Sequence, residues 1–600
     1  MLSPVFLYSR YMIELCKRYY SISIALLAFL VALLPLLLTP HVSDDVINYS
    51  ASWLSQKQFV QNAINDLQNW YFENGRIHVL ANLSKDYTFL IFSSTLAYKT
   101  FLVALNLIAA IVFHLYIKAL TKSTQVSSFS VLVLCLAFQF RDFHDPVVSF
   151  NGLMQYVLIF IVLTLIFHLK YIVEKRIGWL YLTAGSFFVS LLFYEISFII
   201  LFFVLVQEWA LQIRRRQIRS ALPWLALLSV IYIIVARSGK FLGQYYYGVQ
   251  PRTAYEFSLD PLLFLATYFK QVTASIPFIY SIYQPKDGNW GITAAVDYGN
   301  WFGNTGFLLS FPLFTLATWI LLRRSDADFR IYSKFRDRSG VALIFSLGLI
   351  LLPPVIIAMV GRYQNAFGFG NGYLPVYLQY FGLSFLIAFL IQRLLQKYGG
   401  AVFKVTVTVT MGLLISGNYS NNLSVTKALH TAWTPQYIFA ELLHNSKFRE
   451  SCLGKPVVVQ QPAPWTDWTL MRNVTRAGFR GIEAGKMAGS VMDTDEVVQY
   501  CVISPLVWQG RQGHLFGIFM GGKKMPESNS TGISFIYPVE VGEDLVEISL
   551  GLGCSPEGIP MRAVTRQHGR WTDYVILNGV LHTEVIRHTQ TGISFGCVKN

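Results

Sequence analysis

The stretch YSISIALLAFLVALLPLLLT, residues 20–39, decides the class of this protein. It contains no charged side chain, and about 20 apolar residues in a helix are enough to cross the apolar core of a bilayer. Arg10, Lys17 and Arg18 precede the stretch, as in a secretory signal peptide, but no small-residue cleavage site follows it. We therefore interpret these residues as a retained first membrane span.

Further apolar runs of similar composition continue to about residue 416. They predict an all-α, polytopic membrane domain with about eleven spans, at 20–39, 97–117, 126–140, 152–169, 178–194, 196–213, 221–236, 305–322, 341–360, 374–392 and 401–416. Residues 260–283 (DPLLFLATYFKQVTASIPFIYSIY) are nearly as apolar, but Lys270 and Pro277 interrupt the run. We expect a helix here that lies in the membrane interface or re-enters the membrane.

The distribution of charge sets the predicted orientation. Only 14% of the residues are charged, against about 25% in a soluble domain, and the net charge is +15. The basic residues form short clusters between apolar runs, which is typical of cytoplasmic membrane loops and not of a nucleic-acid surface. With the N-terminus in the cytoplasm, these clusters fall in alternate loops: Lys118 and Lys122; Lys170, Lys175 and Arg176; Arg214, Arg215, Arg216 and Arg219; Arg323, Arg324, Arg330, Lys334, Arg336 and Arg338; Arg393 and Lys397. Eleven spans then place the C-terminus outside, which in a bacterium is the periplasmic side of the inner membrane.

From about Asn418 the apolar runs shorten to strand length, with Gly, Pro, Asn and Ser between them. This pattern predicts a small, β-rich, external soluble domain over 418–600, after a membrane domain over 1–417. Four of the six cysteines lie there, each more than 40 residues from the next: Cys452, Cys501, Cys554 and Cys597. The spacing lacks the paired CxxC ligands of a zinc site, so we expect two disulfide bonds, for which three pairings are possible.

Polar residues in the predicted external loops are the candidates for a functional site. Asp44 and Asp45 follow the first span directly, and two adjacent carboxylates at a membrane surface are costly to desolvate unless they meet a cation, a metal or a substrate. The other candidates are Arg76 in NWYFENGR, then Arg141, His144 and Asp145 in the loop RDFHDP, Glu195 between the fifth and sixth spans, and Arg362 and Tyr373 in GRYQNAFGFGNGY.

The Asp44-Asp45 pair after span one, followed some thirty residues later by the aromatic-rich stretch that ends in Asn74-Gly75-Arg76, resembles the GT-C class of integral membrane glycosyltransferases. Within that class it looks most like the O-antigen-modifying glucosyltransferases of serotype-converting phages and their bacterial relatives. The resemblance covers roughly the first 400 residues. It implies a GT-C-like membrane fold that transfers a sugar, glucose in the relatives, from a polyprenyl-phosphate donor to a lipid-linked glycan of the lipopolysaccharide type on the external face.

The resemblance also implies roles for the candidate residues. An inverting transfer needs one carboxylate as general base, which would be Asp44 or Asp45, with Asp44 favoured and Asp45 holding the acceptor or a divalent metal. Cations must stabilise the departing phosphate, and the candidates are Arg76, Arg141, His144 and Arg362. Glu195 would orient substrate hydroxyls or arginine side chains. No cofactor is implied beyond that metal.

Each candidate also has a structural explanation. The aspartates can be a solvated helix end, Arg76 can cap a helix or pair with a lipid headgroup, Asp145-Pro146 can be a turn, and the glycines before Tyr373 can be a flexible connection. Two other functions compete: a polysaccharide polymerase or ligase, and a lipid-linked sugar transporter or flippase. The first needs external Arg-rich loops, whereas this chain offers scattered arginines. The second is disfavoured because the predicted spans are nearly charge-free and show no repeat.

Overall fold

A computed structural model describes residues 20–42, 44–49, 56–141, 144–212, 220–248, 257–258, 260–283, 301, 303–323, 336–364 and 367–442, with nine strands between Val457 and His582. The chain divides into two compact units: Met1–Asp45 with Leu54–His430, and Val46–Trp53 with Thr431–Asn600.

The first unit is helical. Its elements are α1 (Tyr20–Leu38), α2 (Asp44–Tyr49, which continues beyond the unit), α3 (Gln56–Asn74), α4 (Val79–Ile91), α5 (Thr95–Thr121), α6 (Thr124–Ala137), α7 (Leu153–Glu174), α8 (Ile177–Phe193), α9 (Ile199–Gln212), α10 (Leu222–Tyr247), α11 (Pro261–Thr273), α12 (Ile279–Ile282), α13 (Thr305–Arg323), α14 (Arg336–Leu351), α15 (Pro353–Ala358), α16 (Gly361–Gln364), α17 (Val376–Tyr398) and α18 (Ala401–Leu442). Short 3₁₀ turns at Phe150–Gly152 and Glu195–Phe198 precede α7 and α9.

Among the described residues, eight helices are long and apolar enough to cross a membrane: Tyr20–Leu38, Thr95–Thr121, Phe150–Glu174, Leu222–Tyr247, Thr305–Arg323, Gly340–Ala358, Val376–Tyr398 and Ala401–Leu429. The chain is therefore a multi-pass membrane protein. The three other predicted spans correspond to α6, α8 and α9, which have 14, 17 and 14 residues. A count of eleven spans stays a prediction.

The short helix α6 lies at the centre of the bundle, since every residue from Gln125 to Ala137 is buried. Two asparagines of α18 bind the backbone where α6 ends. Asn418 Nδ2 donates to the carbonyls of Cys135 and Phe138 at 3.0 and 2.7 Å, and Asn422 Nδ2 donates to Phe138 at 3.0 Å. Asn422 Oδ1 accepts from the N–H of Phe140 at 2.9 Å. These side chains replace the helical hydrogen bonds that α6 lacks after Ala137.

This contact explains why the helix of the last predicted span is longer than the predicted span itself. The predicted span ends at 416, where the apolar run gives way to polar residues from Asn418, whereas α18 continues to Leu442. The asparagines are buried and bonded to the protein interior, so they do not interrupt the helix. The domain boundary at 417/418 stays a prediction, and the division into compact units falls between His430 and Thr431.

The segment 260–283 folds as the 13-residue helix α11 and the short helix α12. At 1.5 Å per residue α11 is about 20 Å long, too short to cross a bilayer core of about 30 Å. Its exposed side chains include Leu262, Leu265 and Phe269, whereas Thr267 and Gln271 on the opposite side are buried against the protein. The helix therefore presents apolar side chains outward and polar ones inward, as a lipid-facing helix does.

The second unit contains the strands β1 (Val457–Val459), β2 (Tyr500–Trp508), β3 (Arg511–Gly521), β4 (Ile533–Ile536), β5 (Val539–Val541), β6 (Asp544–Val546), β7 (Met561–Gln567), β8 (Arg570–Leu577) and β9 (Val580–His582). They form one sheet in the order β4-β3-β2-β9-β8-β7-β6-β5, with β1 parallel to β2. Cys501 lies in β2, without a described side chain, and Cys452, Cys554 and Cys597 lie outside the described residues. The two disulfide bonds stay a prediction.

Candidate active site

The two adjacent aspartates at the start of α2 lie in different environments. Asp44 is exposed, whereas the side chain of Asp45 is 0% exposed. Asp45 Oδ2 accepts a hydrogen bond from the hydroxyl of Tyr98 at 2.7 Å, and Oδ1 accepts one from the N–H of Phe150 at 2.9 Å. Burial raises the pKa of Asp45, although the charge of Lys99 and the two hydrogen bonds act in the opposite direction. Of the two carboxylates, Asp44 is therefore the one that a substrate can reach.

Arg76 and Glu195 form a bidentate ion pair between the loop after α3 and the turn before α9. Arg76 Nε and Nη2 donate to the two oxygens of Glu195 at 2.8 and 2.5 Å, and His78 Nε2 lies 2.8 Å from Glu195 Oε2. Burial alone would raise the pKa of Glu195, but the neighbouring Arg76 and His78 outweigh it and hold that pKa well below its usual range. Burial and the charge of Arg76 lower the pKa of His78. The pair is therefore charged, beside a neutral imidazole.

Aromatic rings fix the direction of the Arg76 side chain. Its Cζ lies 5.6 Å from the ring centroid of Trp70 and 5.5 Å from that of Tyr194, which is the range of cation–π contacts. The side chains of Arg76 and Glu195 are 22% and 21% exposed. The guanidinium is thus held in one place while part of the pair faces the surroundings, as an anion-binding group requires.

The loop between α6 and α7 holds Arg141, His144 and Asp145. The two oxygens of Asp145 accept from the backbone N–H groups of Arg141 and Val147, both at 2.6 Å. Burial raises the pKa of Asp145 to about 6, against the effect of Arg141 and of these N–H groups. Asp145 therefore shapes the loop, as its turn-forming position before Pro146 suggested.

Arg141 is 1% exposed and lies beneath the site rather than at its surface. Its Nη2 donates to the carbonyl of Ala274, after α11, at 2.6 Å. Its Nε and Nη1 have no hydrogen-bond partner in the described part of the chain. The guanidinium also lies over the rings of Tyr280 and Tyr380 at 5.9 and 5.7 Å. A direct contact with substrate would require this region to open.

His144 and Tyr373 bring the loop RDFHDP and the segment GRYQNAFGFGNGY together. Their ring centroids are 5.6 Å apart, and the His144 ring is 5.4 Å from that of Phe150. Burial and the charge of Arg362 lower the pKa of His144 to about 3. Burial, two neighbouring tyrosines and the charge of Asp44 raise the pKa of Tyr373. The charge of Arg362 therefore acts on His144, and the opposite charge of Asp44 acts on its neighbour Tyr373.

The structure places the nine predicted site residues in one region. The ring of Tyr373 packs against that of His144, the charge of Asp44 acts on Tyr373, and the charge of Arg362 acts on His144. Asp45 and Asp145 are the chain neighbours of Asp44 and His144, and Arg141 interacts with Asp145. The Arg76–Glu195 pair connects to this group through Tyr194, whose pKa is raised by burial and by Tyr363, and Tyr363 donates a hydrogen bond to Tyr373 at 3.1 Å. Their catalytic and binding roles stay predictions.

Sequence reasoning missed three residues that the site depends on: Tyr98, Lys99 and His78. The predicted spans are nearly charge-free, but Lys99 is an exception. This lysine lies in α5, and its side chain is fully buried. A charged residue within a predicted span marks a functional region by default, and that signal could have found it. Within the described ranges, no three His, Cys, Asp or Glu side chains come together as metal ligands. A divalent metal stays an expectation of the reaction class.

No protein-family model and no curated protein sequence matches this chain. Among solved structures, it is similar to ArnT from Cupriavidus metallidurans bound to undecaprenyl phosphate, at 11% identity and a TM-score of 0.38 over 81% of this chain and 93% of that one. The apo state of the same protein gives 11% identity and a TM-score of 0.37 over 80% and 92%. The apo oligosaccharyltransferase of Archaeoglobus fulgidus gives 11% identity and a TM-score of 0.37 over 78% of this chain and 64% of that one. TM-scores below 0.5 do not establish a shared fold.

Proposed function

We propose that this protein transfers a sugar, with glucose as the expected one, from a polyprenyl-phosphate donor to a lipid-linked glycan such as O-antigen at the periplasmic face of the inner membrane. The observation that carries the proposal is the exposed carboxylate of Asp44, which follows the first membrane-spanning helix and whose charge acts on Tyr373. The ring of Tyr373 packs against that of His144, on which the charge of Arg362 acts. The resemblance of the Asp-Asp pair and its downstream NGR to GT-C glycosyltransferases supports the choice of reaction.

The proposed reaction is an in-line displacement at the anomeric carbon of the donor sugar. The acceptor hydroxyl oxygen forms a bond to that carbon, and Asp44 accepts the hydroxyl proton as general base. The bond from the carbon to the phosphate oxygen breaks, and its electron pair leaves with the polyprenyl phosphate. The positive charges of Arg76 and Arg362 stabilise the phosphate as it departs.

The other predicted residues hold the reacting groups in place or contact the sugar. Glu195 accepts two hydrogen bonds from Arg76. These bonds hold the guanidinium in one orientation, so that its positive charge has a fixed position. His144 is neutral, because burial and Arg362 lower its pKa, and it can exchange hydrogen bonds with sugar hydroxyls. Tyr373 offers a phenol and an aromatic surface beside it. Asp145 and the buried Arg141 hold the loops that present these groups.

The test is the loss of the proposed base. We expect Asp44→Asn to lower the rate of sugar transfer by about 10²- to 10⁴-fold, because removal of a general base typically costs that much. Purified protein would be assayed with polyprenyl-phosphate glucose and a lipid-linked acceptor, after gel filtration to compare folded protein. Glu174→Gln, which changes another exposed carboxylate at the far end of α7, serves as the control and should keep its activity.

Full transfer by Asp44→Asn would rule out Asp44 as the base. No transfer by the parent protein with any polyprenyl-phosphate sugar in a panel would contradict the proposed reaction itself.

A further inference from the structure

The chain entering α7 adopts a backbone conformation that ordinary residues avoid. Phe150 and Asn151 have φ of 66° and 48°, and Gly152 follows with φ of 75°. Two non-glycine residues in succession in the left-handed region are sterically disfavoured, so surrounding contacts must maintain them. Gly152 also passes close to α5, since a Cβ there would lie 2.3 Å from Leu105 Cδ1. A side chain at Gly152 would be strained by this φ and would require the Leu105 side chain to shift.

Three buried side chains bind the backbone of this turn. Lys99 Nζ donates to the carbonyl of Val148 at 2.7 Å. Asp45 Oδ1 accepts from the N–H of Phe150 at 2.9 Å, and the Tyr98 hydroxyl accepts from the N–H of Asn151 at 3.1 Å. The same hydroxyl donates to Asp45 Oδ2, which links two of the three side chains. We call Asp45, Tyr98 and Lys99 the loop clamp.

The loop clamp acts at a place that affects the site. All three of its side chains are 0% exposed, so their hydrogen bonds form away from competing water. The turn that they hold follows His144 and Asp145 by a few residues, and the ring of Phe150 lies against that of His144. A change in the turn would therefore move His144 relative to Asp44.

We propose that Asp45 is a positioning residue, which holds the turn at Phe150–Gly152 together with Tyr98 and Lys99 and so sets the position of His144 through its contact with Phe150. Both carboxylate oxygens of Asp45 accept hydrogen bonds, one from Tyr98 and one from the turn. Its role therefore differs from that of Asp44, the proposed general base. The inference rests on the proposed function of Asp44 for its effect on the reaction, but its structural part does not depend on any activity.

Hydrogen–deuterium exchange of the purified protein tests the structural part. Asp45→Asn and Tyr98→Phe should speed exchange of the peptide covering Asp145–Gly152 by about tenfold, because each removes or weakens an acceptor for an amide of the turn. Asp44→Asn, the matched change one residue away, should leave that peptide unchanged. Exchange as slow as in the parent for both Asp45→Asn and Tyr98→Phe would overturn the proposal.

Kinetics distinguish positioning from a loss of folded protein. Tyr98→Phe removes one oxygen and adds none, and we expect it to lower kcat by about tenfold with the donor KM and the unfolding midpoint nearly unchanged. Combined with Asp45→Asn it should add little, since both act on one unit. Independent, fully additive effects on kcat would contradict the loop clamp. Full activity of Asp44→Asn would instead rule out Asp44 as the general base and leave the exchange result standing.

Discussion

At the scale of single residues, a substitution of Arg76 alone changes two properties at once: the stability of the protein and the positive charge of the site. Removing Arg76 leaves the partly buried charge of Glu195 with His78 as its remaining partner, which is destabilising. Only the rest of the measured change reports the loss of a cation from the site. Because about a fifth of each side chain is exposed, solvent reduces the cost of that charge. A double substitution that removes both charges avoids this difficulty.

We therefore predict that Arg76→Ala combined with Glu195→Gln will fold more stably than Arg76→Ala alone. Both variants should raise the donor KM more than the acceptor KM, because the missing charge is the one proposed to meet the donor phosphate. Steady-state kinetics with each substrate varied in turn, and the midpoint of thermal unfolding, provide the measurements. Equal effects on the two substrates would assign Arg76 a structural role instead.

The polar residues of the site could be predicted from the sequence, but the role of each residue could not. Position after span one was enough to single out Asp44 and Asp45, and position between spans was enough for Glu195. The direction of each carboxylate depends on how α2 packs, and neighbouring side chains on a helix point about 100° apart. Lys99 belonged to an apolar pattern and could be linked to Asp45 only through the three-dimensional structure.

At the scale of elements, the site depends on how α11 and its following turn are attached. Gln271 of α11 accepts from the N–H of Tyr373 at 2.8 Å, and Gln139 Nε2 donates to the carbonyl of Ile276 at 2.8 Å. Arg141 binds Ala274 between these contacts. The segment 260–283 is thus tied to two of the loops that carry site residues.

Gly372 lies where these segments pass closest. A Cβ at this position would lie 2.3 Å from Arg141 Nη1 and 2.9 Å from the Cβ of Ala274. We predict that Gly372→Ala lowers the free energy of unfolding by about 1–3 kcal/mol, as overpacking does, and lowers transfer activity as well. Differential scanning fluorimetry and the transfer assay would measure both effects.

The matched control is Gly185→Ala in α8, where a Cβ would meet nothing within 4 Å. It should be neutral or slightly stabilising, because alanine favours a helix over glycine by about 1 kcal/mol. Equal stability of the two alanine variants would show that the region around Arg141 accommodates a methyl group.

Apolar length predicted the helices better than it predicted their ends. The run at 126–140 indicated a span, but α6 stops at Ala137 because side chains from α18 supply its last hydrogen bonds. Local composition contains no information about such a distant partner. Asn418 and Asn422 also made the continuation of α18 hard to predict. Polar residues after an apolar run indicate a loop, but these two are buried and hydrogen-bonded inside the protein.

At the scale of the whole molecule, the orientation in the membrane is an independent prediction. The basic clusters alternate between loops, which favours a cytoplasmic N-terminus, and eleven spans would then place the C-terminus in the periplasm. We expect alkaline phosphatase fused after Asn600 to be active in a bacterial host and green fluorescent protein fused there to be dark. Fusions in the basic loop at Arg214–Arg219 should give the opposite pair of signals and serve as the control.

A fluorescent C-terminal fusion with an inactive phosphatase would contradict both the periplasmic site and the expected disulfide bonds of Cys452, Cys501, Cys554 and Cys597.

The distance along the chain between bonded partners has a consequence for biosynthesis. Arg76 meets Glu195 119 residues later, and Thr426 of α18 binds the carbonyl of Pro35 across 391 residues. At roughly 5–20 residues per second, Arg76 waits about 6–24 seconds for its partner, and α1 waits about 20–80 seconds for α18. During that time the early helices are inserted without the contacts that complete them. A chain that ends before α18 would therefore contain every site residue but lack the side chains of Asn418, Asn422 and Thr426, which bind the end of α6 and α1.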